Sequence, residues 1–146
     1  MKKEILHTTN YFNTFIEVAP DTPVRVGVVP VSKHAIKTLA QWQYDYLTQF
    51  PYRFTSDEIL FQIFVNRHGL PLEEWELARL TFFSKGQPCF RSSPLPKLFG
   101  FGIHANLEGK VALFGMETTE YQMFVGDPTI KKIKAMRSSK IPRHPS

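Results

Sequence analysis

The sequence predicts a single α+β domain in which an antiparallel sheet carries about three helices on one face. Three observations lead to this fold class. Segments rich in β-branched and aromatic residues lie near both ends of the chain, and helix-like segments are concentrated in the middle. The 146 residues are 42% hydrophobic, so one substantial core can be buried. A single cysteine, Cys89, excludes an internal disulfide, and a chain of this length does not need one.

The first predicted element is a strand over residues 11–19. Its aromatic and β-branched residues are typical of strands, and it ends at the turn-forming cluster formed by residues 20–23. Residues 24–31 are predicted to be extended but irregular, because Gly27 and Pro30 interrupt them.

Three helices are predicted to follow. The first is capped by Ser32 and ends before Pro51. The second starts after the dense N-cap signal at residues 55–58 and ends at Gly69. The third spans residues 71–86, with acidic residues in its first turns. One face of the first helix is expected to contain Ile36, Leu39, Ala40, Gln43, Leu47 and Phe50.

The last third of the chain is predicted to contain short strands and short helices. Residues 89–92 are expected to be extended, and residues 93–96 to form a short helix with prolines in its first turn. Residues 101–106 and 110–116 are predicted to form a hairpin. Thr118 or Thr119 is expected to cap a further short helix. Residues 130–136 are compatible with either a helix or a final edge strand, and an exposed edge would permit a dimer.

The formal net charge of +5 is unevenly distributed. Residues 130–146 contain six basic and no acidic side chains, and the other 129 residues contain 12 basic and 13 acidic ones. The positive charge therefore belongs to a basic C-terminal tail, and the folded body is not expected to bind nucleic acid. Weak binding of a polyanion through this tail is one hypothesis. The domain is expected to span residues 1–139, with residues 140–146 a disordered tail end.

Several functional classes lack sequence support. No apolar run approaches the length of about 20 residues that a membrane helix needs, and the N-terminus has no secretory signal, so a cytoplasmic protein is predicted. The five histidines show no metal-ligand spacing, and no glycine-rich phosphate loop is present. No metal and no cofactor are therefore predicted.

The densest cluster of chemically versatile residues lies at positions 83–94. Lys85 and Arg91 supply charge around Cys89, and Ser93 precedes the start of a short helix, which is where anions bind. The preferred hypothesis is a non-catalytic binding module for a small anionic ligand or a protein partner, lined by Lys85, Arg91, Ser93 and His104. Turn formation and helix capping also account for these residues without a ligand.

An alternative hypothesis is an enzyme with Cys89 as its nucleophile. His104, on a predicted strand, would be the base that activates the thiol. The competing structural interpretation is that Cys89 is a small buried apolar residue at the start of a strand.

Several motifs also resemble those of a known family. The segments HTTNYFNTFIEVAPD, PYRFTSDE, FFSKGQPCFRSSPL, GFGIH, GKVALFG and KAMRS are similar to a family of small bacterial proteins of unknown function, from His7 to about Arg137. This resemblance implies no activity, cofactor or catalytic residue. The segment SKGQPCF is also similar to small α+β proteins of the iron-chaperone-like type, over about a quarter of the chain. Those proteins imply acidic metal-holding surfaces, whereas this segment is basic, so the second likeness supports only the α+β class.

Overall fold

The computed structural model describes residues 6–138, which contain four strands and five α-helices. Two short 3-10 turns, Leu72–Glu74 and Phe90–Ser92, connect neighbouring elements. In chain order the elements are β1 (Thr14–Glu17), α1 (Leu39–Gln49), α2 (Ser56–His68), α3 (Trp75–Phe83), α4 (Pro94–Leu98), β2 (Phe101–Ala105), β3 (Val111–Gly115), α5 (Thr119–Gly126) and β4 (Lys131–Lys134). The α+β class is confirmed. The predicted number of about three helices is wrong, because α4 and α5 add two short ones.

The sheet is mixed, in the strand order β3-β2-β1-β4. Strand β2 is antiparallel to both β1 and β3, but β4 runs parallel to β1. The prediction of a purely antiparallel sheet is therefore wrong. After β3 the chain crosses the sheet through α5 and enters β4 in the same direction as β3. Because β3 runs in the same direction as β1, β4 is parallel to β1. The ambiguity over residues 130–136 is resolved in favour of a strand.

Helices cover both faces of the sheet, so the prediction of helices on one face is wrong. On one side, Ile16 and Ile103 join the main core with apolar residues of α1, α2 and α4. The next residue along β1, Phe15, points the opposite way. Its ring lies 5.0 Å from the rings of Tyr121 and Phe124 on α5. Both sides of β1 are therefore buried.

Local capping chemistry decides where the helices begin. Helix α1 begins after Thr38, which forms a reciprocal capping box with Gln41, and not after Ser32. The Ser32 hydroxyl instead bonds within its own turn, to the carbonyls of His34 and Ile36. Ile36 is 82% exposed, which corrects its expected place on the buried face.

Two segments that were predicted to be extended do not form strands. Phe90–Ser92 form a 3-10 turn that buries Phe90, which corrects the extended prediction for residues 90–92, whereas the backbone of Cys89 is extended. Residues 24–31 contain no strand, as their irregular sequence predicts. They pack against Gly100, whose φ is +79° and where a Cβ would lie 2.4 Å from the Val26 carbonyl oxygen. This close approach of two backbone segments requires glycine at position 100.

Candidate functional site

A cavity of about 190 Å³ lies between α1, α2 and the segment that leads from α3 to α4. We refer to it as the Cys89 cavity. Its apolar lining consists of Leu39, Leu60, Ile63, Phe64, Phe82 and Pro88. Its polar lining consists of Gln43, Arg67, His68, Gln87, Cys89, Ser92 and Ser93. A cavity that combines apolar side chains with convergent polar groups is typical of small-molecule sites.

Gln43 is the most informative polar residue of this cavity. It lies on the inner face of α1 and is only 3% exposed. Its side-chain carbonyl accepts a hydrogen bond from the hydroxyl of Ser93. Within residues 6–138, no hydrogen bond involves its amide nitrogen. This nitrogen is still accessible to solvent, because among these residues only the Thr22 hydroxyl oxygen is both fully buried and without a hydrogen bond. The amide N–H groups of Gln43 therefore face the Cys89 cavity as free donors.

Ser93 holds this wall of the cavity in place. It is 3% exposed and caps the N-terminus of α4, where its hydroxyl oxygen accepts a hydrogen bond of 3.1 Å from the Leu95 N–H. The same hydroxyl donates to Gln43, so one side chain ties α4 to α1. Ser93 therefore sets the orientation of the Gln43 amide, and its own donor is already used.

Cys89 lines the cavity beside Tyr11. The Cys89 Sγ and the Tyr11 hydroxyl share a hydrogen bond of 3.1 Å. Burial raises the pKa of Tyr11 to about 12, and the hydrogen bond with Cys89 contributes in the same direction. At neutral pH the phenol is therefore protonated. Cys89 is therefore hydrogen-bonded, at the wall of the cavity, to a protonated and half-buried phenol.

Two basic residues of the last turn of α2, Arg67 and His68, lie at the edge of the cavity. Arg67 is exposed and forms no ion pair within the described residues, in which the ion pairs are Lys37–Asp45 and Lys110–Glu108. The His68 ring lies 4.4 Å from the ring of Phe64. Basic residues at this position also complement the negative end of the helix dipole. The edge of the cavity is therefore basic.

The structure brings only part of the predicted site together. Ser93 and Cys89 line the same cavity, as described above. Lys85 is exposed and lines a neighbouring groove beside α3. Arg91 is also exposed, and its Nε donates a hydrogen bond of 2.8 Å to the Lys134 carbonyl on β4.

His104 lies on the other side of the sheet. It follows Ile103 on β2, and alternate residues of a strand face opposite ways, so it joins the α5 face. Its ring stacks on Phe124 at 4.2 Å, and its Nδ1 is 2.8 Å from the Tyr52 hydroxyl. Cys89 faces α1 and α2, so the sheet separates it from His104. The geometry does not support His104 as the base for a Cys89 nucleophile.

Residues that could hold a metal ion do not cluster. Within residues 6–138, no group of three or more histidine, cysteine, aspartate or glutamate side chains has a suitable arrangement. None of the helices in the same range combines the length and apolarity needed to cross a membrane.

Gln43 and Arg67 were absent from the predicted site. The sequence does contain a signal for Gln43, because a glutamine within the apolar face of a helix must find a buried partner or a ligand. It contains none for Arg67, whose type and position are ordinary for a helix end.

Comparison with known proteins places the chain in a family. A model described as a family of unknown function (DUF6157) matches residues 6–141, which is nearly the whole chain. Neither a search of curated proteins nor a search of solved structures returned a match. The family match confirms the resemblance that the sequence motifs indicate, and the chain therefore belongs to the family of unknown function DUF6157.

Proposed function

We propose that the protein is a non-catalytic binding module for a small organic acid, which it takes up in the Cys89 cavity. The observation that carries this proposal is the amide of Gln43, which is almost fully buried and whose N–H groups have no acceptor among residues 6–138. Only water or a ligand in the cavity can satisfy such a donor, and a donor left unsatisfied costs free energy. A ligand oxygen that accepts from Gln43 would satisfy it, so an acceptor-bearing ligand is favoured.

The volume of the cavity limits the size of the ligand. An apolar cavity of about 150 Å³ is large enough for benzene. The Cys89 cavity, at about 190 Å³, can therefore hold one ring or a branched aliphatic group together with a small polar group. The side chains of Leu60, Ile63 and Phe64 would contact the apolar part.

The charge around the cavity favours an anion. Arg67 contributes a guanidinium without an acidic partner among the described residues, and guanidinium groups bind carboxylates through paired hydrogen bonds. Among the described residues, none of those that line the cavity is acidic. A carboxylate has two oxygen atoms and a negative charge, so it could accept hydrogen bonds from both Gln43 and Arg67.

The direct test is a titration of the 15N-labelled protein with benzoate, phenylacetate and cyclohexanecarboxylate, followed by NMR. We expect at least one acid to shift the side-chain amide signals of Gln43, with a dissociation constant on the order of 1 mM for so small a ligand. Benzyl alcohol, a neutral analogue of benzoate, should bind about tenfold more weakly because it cannot pair with Arg67.

Two variants locate the site. Gln43→Glu keeps an acceptor for Ser93 but replaces the free donors with a negative charge, so acid binding should be lost. Arg67→Gln should weaken binding about tenfold. Arg53→Gln is the matched control, since Arg53 is an exposed arginine over the Phe50 ring and lies outside the cavity. The proposal fails if no acid moves the Gln43 signals, or if benzyl alcohol binds as tightly as benzoate.

A further inference from the structure

Helix α3 exposes an unusual amount of apolar surface. Leu77 and Leu80 are 72% and 45% exposed, and Leu72, just before the helix, is 72% exposed. Beside them lies a groove of about 490 Å³ with an apolar floor that includes Phe64, Leu70 and Ala78. An apolar helix face next to an open apolar groove is typical of a surface that binds another helix.

The charges along this face are arranged so that two copies of it complement each other. Glu73 lies at one end of the groove and Lys85 at the other, and each is six positions from Arg79. When two identical helices pack antiparallel around a twofold axis, residues equally far from the centre face one another. Glu73 lies in the 3-10 turn just before α3 and Lys85 lies just after its end, so in an antiparallel pair the acidic start of each copy would lie beside the basic end of the other.

The centre of such a pair is free of charge. Arg79 does not project onto this face, because its guanidinium lies over the rings of Phe61 and Phe83, at 5.6 and 5.1 Å. With Arg79 at the level of the crossing point, Leu77 lies opposite Thr81 of the second copy, and both residues line the groove. A large side chain therefore meets a shorter one on each side of the twofold axis, as close helix packing requires.

From these observations we infer that α3 is the interface of a symmetric dimer of this chain, in which the two α3 helices pack antiparallel around Arg79. The interface buries Leu77 and Leu80 and pairs Glu73 with Lys85 twice. It rests on observations separate from those that support acid binding, because Leu77, Glu73 and Lys85 do not line the Cys89 cavity.

Sedimentation velocity of the full chain tests this inference, since the monomer mass is 16.9 kDa. Between roughly micromolar and roughly millimolar concentration, the native protein should shift to twice this mass. Leu77→Glu should remain monomeric, and circular dichroism should show that it is folded, because the residue it replaces is exposed. A native protein that stays monomeric throughout this range would overturn the inference.

Charge reversal tests the antiparallel register. Glu73→Lys and Lys85→Glu should each raise the dimer dissociation constant about tenfold, since each creates two like-charge contacts. The double variant restores both pairs and should return to within about threefold of the native value. Glu120→Lys, an exposed change of the same charge on α5, is the control. If the double variant is as weak as the single ones, the proposed pairing is wrong.

Discussion

At the scale of single residues, the pair formed by Tyr52 and His104 is the most constrained. Tyr52 has a φ of +58°, in the left-handed region that side chains other than glycine rarely adopt. Burial raises its pKa to about 12, so its hydroxyl is protonated, and it shares a hydrogen bond of 2.8 Å with His104 Nδ1. Burial lowers the pKa of His104, while the charge of Asp127 partly opposes this shift.

This arrangement predicts how stability depends on pH. Because folding lowers the pKa of His104, the unfolded chain binds more protons below the ordinary histidine pKa of about 6.5. The contribution of His104 to the free energy of unfolding should therefore decrease as the pH falls through about 6.5, and should be complete above it. An NMR titration of the His104 ring should give a midpoint below about 6.5.

Urea unfolding at about pH 7.5 and about pH 5 measures the same effect on stability. His104→Phe keeps a ring to stack on Phe124 but cannot titrate, so the loss of stability at low pH should be smaller in this variant. His34→Phe, at an exposed position, controls for the loss of one histidine. An unchanged pH dependence in His104→Phe would contradict the prediction.

At the scale of elements, the start of α2 is joined to the N-terminal segment by a dense set of hydrogen bonds. The Asp57 carboxylate accepts from the Thr8 hydroxyl, the Thr9 hydroxyl and the Thr9 N–H, each at 2.7 Å. The Asp57 N–H donates to the side chain of Asn10 at 2.9 Å, and Thr9 also contacts Ser56. Thr9 and Ser56 are buried, so the hydrogen bond between them is protected from water, whereas the bond from Thr8 to Asp57 is exposed. This network gives the motif HTTN a structural role.

Removal of the Asp57 carboxylate should therefore loosen both elements. We expect Asp57→Ala to lower the free energy of unfolding by about 2–3 kcal/mol, because three donors lose their acceptor and the helix start loses a favourable charge. Asp57→Asn keeps one acceptor oxygen and should cost less. Urea unfolding measures both, with the exposed Glu120→Ala as the control. A loss no larger than that of the control would show that water replaces these bonds.

Elements were predictable where local chemistry determined them. The start of α2 follows from the Thr55–Glu58 capping box. Its end follows from Gly69, which adopts a φ of +60° without strain because it has no side chain. The start of α1 was not predictable from Ser32, because a serine also satisfies its hydroxyl within a turn. Residues 89–92 have strand-like composition, but Phe90 is buried in the main core and Phe90–Ser92 form a 3-10 turn.

At the scale of the whole molecule, the sheet and the site depend on contacts that are distant in sequence. Ser93 and Gln43, whose hydrogen bond forms a wall of the Cys89 cavity, are 50 positions apart. The sequence places Cys89 and Ser93 near each other, but it does not reveal that α1 and α2 complete the cavity. The separation of His104 from Cys89 likewise follows from the side of the sheet that each faces, which depends on strand register.

The same long-range order makes the basic C-terminal region part of the fold. Strand β4 is the parallel partner of β1, from Thr14 paired with Lys131 to Glu17 paired with Lys134. Ile133 packs against the main core, and Ala135 is 3% exposed. The predicted basic tail therefore does not begin at residue 130, and residues 139–146 lie outside the described part of the chain.

A chain that ends at residue 129 should consequently lose its cooperative fold. It would leave one edge of β1 without hydrogen-bond partners and expose the core beside Ile133, at a cost of about 5 kcal/mol or more, which approaches the whole stability of a small domain. Thermal unfolding followed by circular dichroism should show no cooperative transition. A native-like melting curve for residues 1–129 would contradict this view of β4.

Because the truncated chain is expected to unfold, the hypothesis of polyanion binding has to be tested with substitutions in β4. Lys131 and Lys134 are exposed on β4, so the double change to glutamine should preserve the melting temperature. If β4 contributes to polyanion binding, the affinity for heparin should fall in this variant, and the dependence of affinity on salt concentration should become less steep by about one unit of slope for each lost contact. Unchanged affinity and slope would exclude these two lysines from any polyanion site, and the basic strand would then serve to keep an exposed sheet edge from pairing with other chains.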